Sequence, residues 1–536
     1  MTANSGRYEG PSPIATDAGW TVKRLTPPSR LMGANGLRTG ADGRIYVAQV
    51  AGSQISAIDP DSGRIDTISG RDGPVIAPDD LAFDEDGNIY ITEITEGRLT
   101  VLAPDGSHHI LKGDMPVANP VTYHQGRLIA GECRPDGRVM EIDRSSGEAR
   151  MILEGVPMPN AFSIGPDGLL YMPIMGTNEI WRVPLEGGEP EVVAGDLGVP
   201  DSVKFDSKGY IISTQVASGQ VLRIDPQNGS GTLLAQLGPG LDNCTFVGER
   251  LFVSSIPGEV TEILGGGKTR PLVERGLQWP TGLAMGADGS LFVADGGFTY
   301  LLAPQGQLEL LGFLFTPGFP GWVRGVCQGK DGNWIVTTSN GHVARWRTAD
   351  GESDFLCEGL NNPCGIACRS DGVIHVAEID GGRLLAVENG ETRKLATGLS
   401  RPMGVAHDDA GACLVAESAA GRISRVTDSG SETVIDGLGE PQGIAVHQKI
   451  LYIADCGTKE LVAFDLEKGL RTILATDLPL KAPKGMIPNR VGAVGTLSGP
   501  MDAFTGLACG ADGTIYISGD AEGSVLAVTP TIQAQY

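Results

Sequence analysis

One turn-and-strand unit recurs twelve times along the chain, and a repeat of this kind dictates what the chain can fold into. A Gly-bearing turn leads into a β-rich run at 40–47 (GADGRIYV), 84–91 (DEDGNIYI), 124–131 (HQGRLIAG), 165–172 (GPDGLLYM), 206–213 (DSKGYIIS) and 248–253 (GERLFV). The series continues at 286–293 (GADGSLFV), 329–336 (GKDGNWIV), 369–376 (RSDGVIHV), 408–415 (DDAGACLV), 447–453 (HQKILYI) and 510–517 (GADGTIYI). A spacing of about 39–44 residues is that of a four-stranded propeller blade. Four strands can be read directly in the third unit, as PVTY, RLIAG, RVMEID and ARMILEG. Helical periodicity is absent. The last interval is longer because it contains an insertion, about 479–503, rich in Pro, Gly and Lys.

The chain ends say how the repeats close. A strand, WTVKRL at 20–25, precedes the first unit, and the last unit stops after GSVLAVTP without its outer strand. An orphan strand at one end and a missing one at the other point to closed rings rather than an open solenoid. Twelve blades in one ring would leave a wide hole, so the expected fold is all-β, with two tandem six-bladed β-propellers. The expected domains are an N-terminal extension at 1–19, a first propeller at 20–264 and a second at 265–536. GGGK at 265–268 then acts as the hinge, WTVKRL closes the first ring and TRPLVERG the second. The sequence fits equally a topology that keeps TRPLVERG in the sixth blade and carries the N-terminal strand into the last.

Composition narrows the function. The 78 glycines in 536 residues carry no Gly-X-Y period and suit many tight turns. A net charge of -24 repels phosphate backbones, which argues against nucleic acid as a partner. The nine cysteines form no Cys-x-x-Cys pair, Cys364 and Cys368 being the nearest neighbours. They read as buried apolar residues in a reducing compartment, not as zinc ligands or disulfides. No apolar signal region opens the chain and no run of 18 apolar residues occurs in it, so a cytoplasmic location without a membrane span is expected.

In a propeller the innermost strands begin around the central channel, so one residue per blade converges there. Counted four residues before the last apolar residue of each inner strand, these are Asn35, Asp79, Asn119, Asn160, Asp201 and Asp242 in the first propeller. All six carry a side-chain oxygen. The second propeller places Thr281, Arg324, Cys364, Met403, Gln442 and Thr505 there, without a carboxylate. Three carboxylates and three amides around one axis call for a neutralising ion. The oxygen-only set favours Ca²⁺, with Mg²⁺, Mn²⁺ or Zn²⁺ as the alternatives, the want of His and Cys arguing against zinc.

The segments VANPVTYHQGRL, MPNAFSIGPDG and VPDSVKFDSKG resemble the Asn-Asp-Gly, Asn-Gly-Leu and Pro-Asp-Gly elements of a known family. It is the senescence-marker-protein (regucalcin), gluconolactonase and luciferin-regenerating-enzyme group. The resemblance spans residues from about 20 to 264; the second propeller is similar only to generic Asn-His-Leu-type repeats. It implies one divalent metal on the channel axis, held by Glu, Asn, Asn and Asp from the first, third, fourth and fifth blades. Asn119, Asn160 and Asp201 match the last three positions, while Asn35 stands where the family has Glu. Asp79 or Asp242 can restore that charge.

The expected activity is metal-dependent hydrolysis of a small lactone or ester, with Asp201 as ligand and as base or nucleophile. Metal-dependent lyase, dehydratase or isomerase chemistry at the same site, or a non-catalytic scaffold, are the other readings. His108, His109 and His124 lie away from the ring, which disfavours a histidine mechanism. Glu93, Glu132 and Arg134, placed on loops opening on the ring face, are candidate substrate contacts. The aromatic run FLFTPGFPGWV at 313–323 needs a surface to cover, either between the propellers or over a substrate.

Overall fold

Short apolar runs separated by Gly turns fold into antiparallel hairpins, and the hairpins assemble into blades. The computed structural model describes residues 7–388, 390–427, 430–482 and 504–531. Twelve antiparallel sheets hold four strands each, apart from one that gains a fifth short strand, Ile14–Ala15, on its outer edge. Among the described residues the one helical segment is the 3-10 turn Ser418–Ala420. The chain is therefore all-β, two six-bladed propellers in tandem. Most of the insertion at 479–503 lies outside the described residues.

Neighbouring blades are held by layered apolar side chains. Ala82, Tyr90 and Leu99 of the second blade meet Val121, Leu128 and Ala130 of the third; Ile129 and Val139 meet Phe162, Leu170 and Met172. Each large side chain fully buried in these layers contributes roughly 1.5–3 kcal/mol. Hydroxyls on the second strands add stitches between blades. Thr92 Oγ1 donates to the carbonyl of Asn119 in the next blade at 2.5 Å, Ser254 Oγ to that of Asn35 at 2.6 Å, and Thr214 Oγ1 to that of Asp242.

Residues 30–278 form one compact unit; residues 279–482 and 504–531, together with 7–29, form the other. The strand pairing follows the second of the two topologies the sequence allowed. Trp20–Arg24 pairs with Ser524–Pro530, from Trp20 opposite Pro530 to Arg24 opposite Leu526. Lys268–Val273 stays with Glu259–Gly265 in the sixth blade. The reason lies in GGGK. Gly265, Gly266 and Gly267 have φ of 86°, 61° and 75°, the left-handed conformation of a tight hairpin turn, so the segment folds back instead of linking rings.

The second propeller is thus fastened by a strand from the far end of the chain, and the first closes without one. In the first, Thr39 Oγ1 donates to the Phe246 carbonyl at 2.7 Å. Leu37, Val47 and Ile58 of the first blade pack with Phe252, Val260 and Val273 of the sixth. The aromatic run is taken up inside the second unit, where Phe313, Phe319 and Trp322 are buried. Phe319 sits edge-on to Trp346 at 5.5 Å, and Phe313 stacks on Phe298 at 5.3 Å.

Candidate metal centre on the axis of the first propeller

A recurring backbone device builds the ring. Two residues before each ring position the chain turns left-handed, at Gly33, Ala77, Val117, Met158, Val199 and Gly240, with φ between 45° and 96°. For β-branched Val117 and Val199 this conformation is costly, about 1–3 kcal/mol each. The carbonyls of Ala77, Val117, Met158, Val199 and Gly240 then accept from the backbone N–H of Ile94, Cys133, Met175, Val216 and Ile256, at 2.8–3.2 Å. A register irregularity follows in the innermost strands Pro78–Phe83, Ala118–His124, Pro200–Phe205 and Leu241–Val247. Such bulges re-aim side chains next to functional sites.

The six ring residues are all buried, each between 4% and 7% exposed. Asn35 Nδ2 donates to Asp242 Oδ2 at 2.9 Å and Asn160 Nδ2 to Asp201 Oδ2 at 2.9 Å. Among the described residues the Asp79 carboxylate and the Asn119 amide form no side-chain hydrogen bond. Burial drives the carboxyls of Asp79, Asp201 and Asp242 well above the usual range, and repulsion adds to it: Asp242 on Asp79, Asp79 on Asp201, Asp201 on Asp242. Cys133 feels all three, its thiol pushed well up by burial and then by Asp201, Asp79 and Asp242. Met175 Sδ lies 3.1 Å from Asn160 Nδ2, so Cys133 and Met175 flank the ring with sulfur and hydrocarbon.

A second polar layer, which the sequence reading missed, lies one to three residues further along the inner strands. Asp80 accepts from Arg38 Nη2 at 3.3 Å and from the Val121 N–H at 3.2 Å. Arg38 Nε donates to the Leu81 carbonyl at 2.6 Å. Lys204 is buried, donates to the Val203 carbonyl at 3.2 Å, and is brought down to about 8 by desolvation and by Arg38, against the pull of Asp80. Four buried carboxyl groups thus face two cationic side chains. Ionising all four would leave more negative charge than Arg38 and Lys204 offset, so the ring and its all-oxygen donor set suit one hard divalent ion.

Glu93 and Glu132 need correction. They are not loop residues open to substrate but the last residues of strands Ile89–Glu93 and Arg127–Glu132, both 0% exposed. Glu93 accepts from the Ile76 N–H, Thr100 Oγ1 and Arg98; Glu132 from Arg138 and from Arg134 Nε at 2.9 Å. Arg134, partly exposed, is thereby tied to Glu132. Glu378 and Glu417 do the same in the second propeller, accepting the N–H of Asn361 and Ser400. A device present in both rings ties a blade's second strand to its own third strand or to the segment that leads into the blade. The signal was legible in the recurring strand ends YITE, IAGE, HVAE and LVAE.

The corresponding axis of the second propeller is nearly filled. The residue after each ring position there is glycine: Gly282, Gly325, Gly365, Gly404, Gly443 and Gly506. A Cβ on any of them would stand 2.2–2.4 Å from the carbonyl oxygen of the next blade's ring residue. The inner strands therefore approach as closely as backbones can, leaving an axial cavity of about 30 Å³ lined by Leu283, Val326, Ile366 and Val405. Arg324 Nη1 donates to Asn362 Oδ1 at 2.8 Å.

Comparison with known proteins places the resemblance in the first propeller. Residues 121–257 match the model of the SMP-30/gluconolactonase/LRE-like region. Among solved structures the chain is similar to virginiamycin B lyase from Staphylococcus aureus, at 16% identity over 52% of this chain and 96% of that one, with a TM-score of 0.38. It is similar to a gluconolactonase from Xanthomonas campestris, at 17% identity over 46% and 93%, TM-score 0.38. It is also similar to the calcium-binding protein regucalcin from Agrobacterium tumefaciens, at 19% identity over 48% and 98%, TM-score 0.38. No curated protein sequence matches the chain.

Proposed function

We propose that the first propeller binds one divalent cation on its axis, Ca²⁺ by preference, and hydrolyses a small lactone or ester. The observation that carries the reading is the buried ring of Asp79, Asp201 and Asp242, whose charge exceeds what Arg38 and Lys204 offset. Asn119, Asn160 and Asp201 would hold the ion, with Asn35, Asp79 and Asp242 supplying further oxygens. Asp79 and Asp242 make up the charge that Asn35 does not bring. The match over residues 121–257 takes in Asn160, Asp201 and Asp242 and begins two residues after Asn119. When bound, such an ion polarises a carbonyl oxygen and acidifies water.

The chain's own residues supply the rest. Asn160 Nδ2 fixes Asp201 Oδ2, leaving Oδ1 to accept a proton from the attacking water. The flanking Cys133 and Met175 are buried and suit an apolar part of the substrate. The test is turnover of a panel of lactones and esters before and after exhaustive chelation with metal loss confirmed. Activity should vanish and return with Ca²⁺, and its pH profile should lack a limb near the histidine reference of about 6.5. Full turnover by the stripped protein would overturn the reading.

Lys204 supports a second reading. A buried lysine brought to about 8 can take a proton from carbon beside a carbonyl, the first step of an elimination or isomerisation. Solvent deuterium incorporation at such a carbon, abolished in Lys204→Met while hydrolysis persists, would identify it.

A further inference from the structure

Three side chains in the second propeller bring two nitrogens and a sulfur to one point. His375 is the second residue of strand Ile374–Glu378, and it is 3% exposed. His407 closes the innermost strand Pro402–His407 of the following blade and is half-buried. Cys413, opposite His407 in the same hairpin, opens Cys413–Glu417 and is 3% exposed. One hairpin register thus pairs His407 with Cys413, and the neighbouring blade adds His375.

His375 Nδ1 lies 2.8 Å from His407 Nε2 and 2.7 Å from Cys413 Sγ, and all three donor atoms fall within 4.8 Å of one another. One ring nitrogen with a single hydrogen or lone pair cannot serve both neighbours well. A cation at the shared focus would accept from all three. Donors around one tetrahedral zinc stand roughly 3.3–3.6 Å apart at its usual bond lengths, so modest side-chain rotation would accommodate it. We propose that His375, His407 and Cys413 form a second metal site, for a thiophilic transition-metal ion, Zn²⁺ or Cu⁺.

Nitrogen and thiolate donors suit those ions and not Ca²⁺ or Mg²⁺, so the site is chemically distinct from the oxygen ring of the first propeller. Burial keeps the imidazoles neutral, His375 at about 4, with lone pairs available. The thiol, raised to about 12, must give up its proton when the metal enters. Arg369 adds positive charge beside all three, countered by Asp371 and Asp408. The partial exposure of His407 leaves a path for the ion and a position for water as fourth ligand.

The test is titration of metal-stripped full-length protein with Co²⁺, followed by absorbance. The expected result is one ion per chain giving a thiolate-to-cobalt charge-transfer band, displaced by Zn²⁺ or, under reducing conditions, by Cu⁺; which competitor wins at lower concentration names the resident ion. Cys413→Ser should remove the band and weaken binding about 100-fold, and His375→Gln should weaken binding similarly. Asp201→Asn should leave the band unchanged. In case the variants fail to fold, Zn²⁺ should raise the thermal midpoint of the wild-type chain in a calcium-saturated buffer. No band with the wild type, a band that survives in Cys413→Ser, or no thermal shift would overturn the proposal.

Discussion

The two propellers share blade design, hairpin turns and acidic strand ends, yet their axes are opposites. In the first, the residue after the ring position is Gly36, Asp80, Pro120, Ala161, Ser202 or Asn243; in the second it is always glycine. Three positions after the ring, the first has Arg38, Thr122, Ser163, Lys204 and Thr245 beside one alanine, while the second has five alanines and Cys327. Side chains in the first hold its inner strands apart and furnish a charged channel. Their absence in the second lets backbones meet and closes the axis. Two positions per blade thus separate a polar axis from a packed one, and the proposed axial site belongs to the first propeller only.

The largest effect that would test this contrast is at Asp201. Asp201→Asn should lower turnover by about 10²–10⁴-fold, the usual worth of a positioned base, and weaken the axial ion. Gln442→Ala, the same ring position in the second propeller, should change neither. Equal losses from both substitutions would erase the distinction.

Next comes the buried carboxyl of the second propeller. Asp520 accepts from Thr505 Oγ1 at 3.0 Å, and burial lifts it to about 7. Its folded value lies above the unfolded value of about 3.9, so the folded state holds the proton longer. Stability from this group is greatest below about pH 4, falls as pH rises towards 7 and is level above, by up to about 4 kcal/mol in all. Asp520→Asn should flatten that decline in unfolding measured from pH 4 to 8; an unchanged slope would assign it elsewhere.

Smaller effects probe the backbones. Gly365→Ala puts a Cβ 2.3 Å from the Met403 carbonyl oxygen and should cost about 1–3 kcal/mol by overpacking. Urea unfolding of the full chain would register it, and a neutral result would mean the closed axis has slack. Val199→Asn gives the left-handed position at φ 62° a residue that tolerates it and should stabilise by about 1 kcal/mol in the same assay. A loss instead would show that the valine side chain contributes more than the strain removes.

Much of this was legible in sequence because it is periodic. Twelve turn-and-strand copies specify the fold, and counting back from the inner strand picks out six residues that are each buried, with Asp79, Asp201 and Asp242 close enough to act on one another. What failed was what runs against local propensity or beyond the period. Val117 and Val199 turn left-handed where a β-branched residue would be expected to stay extended. Glu93 and Glu132 looked like free loop charges because their arginine partners follow in the next strand. Lys204 and Arg38 stood in plain view inside inner strands, where a charged residue among apolar ones marks the channel. The fastening of the second ring by Trp20–Arg24 joins the chain's two ends, and the sequence admitted it only as one of two topologies. His375, His407 and Cys413 come from two blades, so no short motif announces them.

The central claim is an ion on the first axis and none on the second. Anomalous diffraction from calcium-saturated crystals of the full chain measures it directly. The account predicts a single axial peak in the first propeller, about 2.3–2.6 Å from oxygens of Asn119, Asn160 and Asp201. A peak among Thr281, Arg324 and Gln442 instead, or no axial peak in either ring, would contradict it.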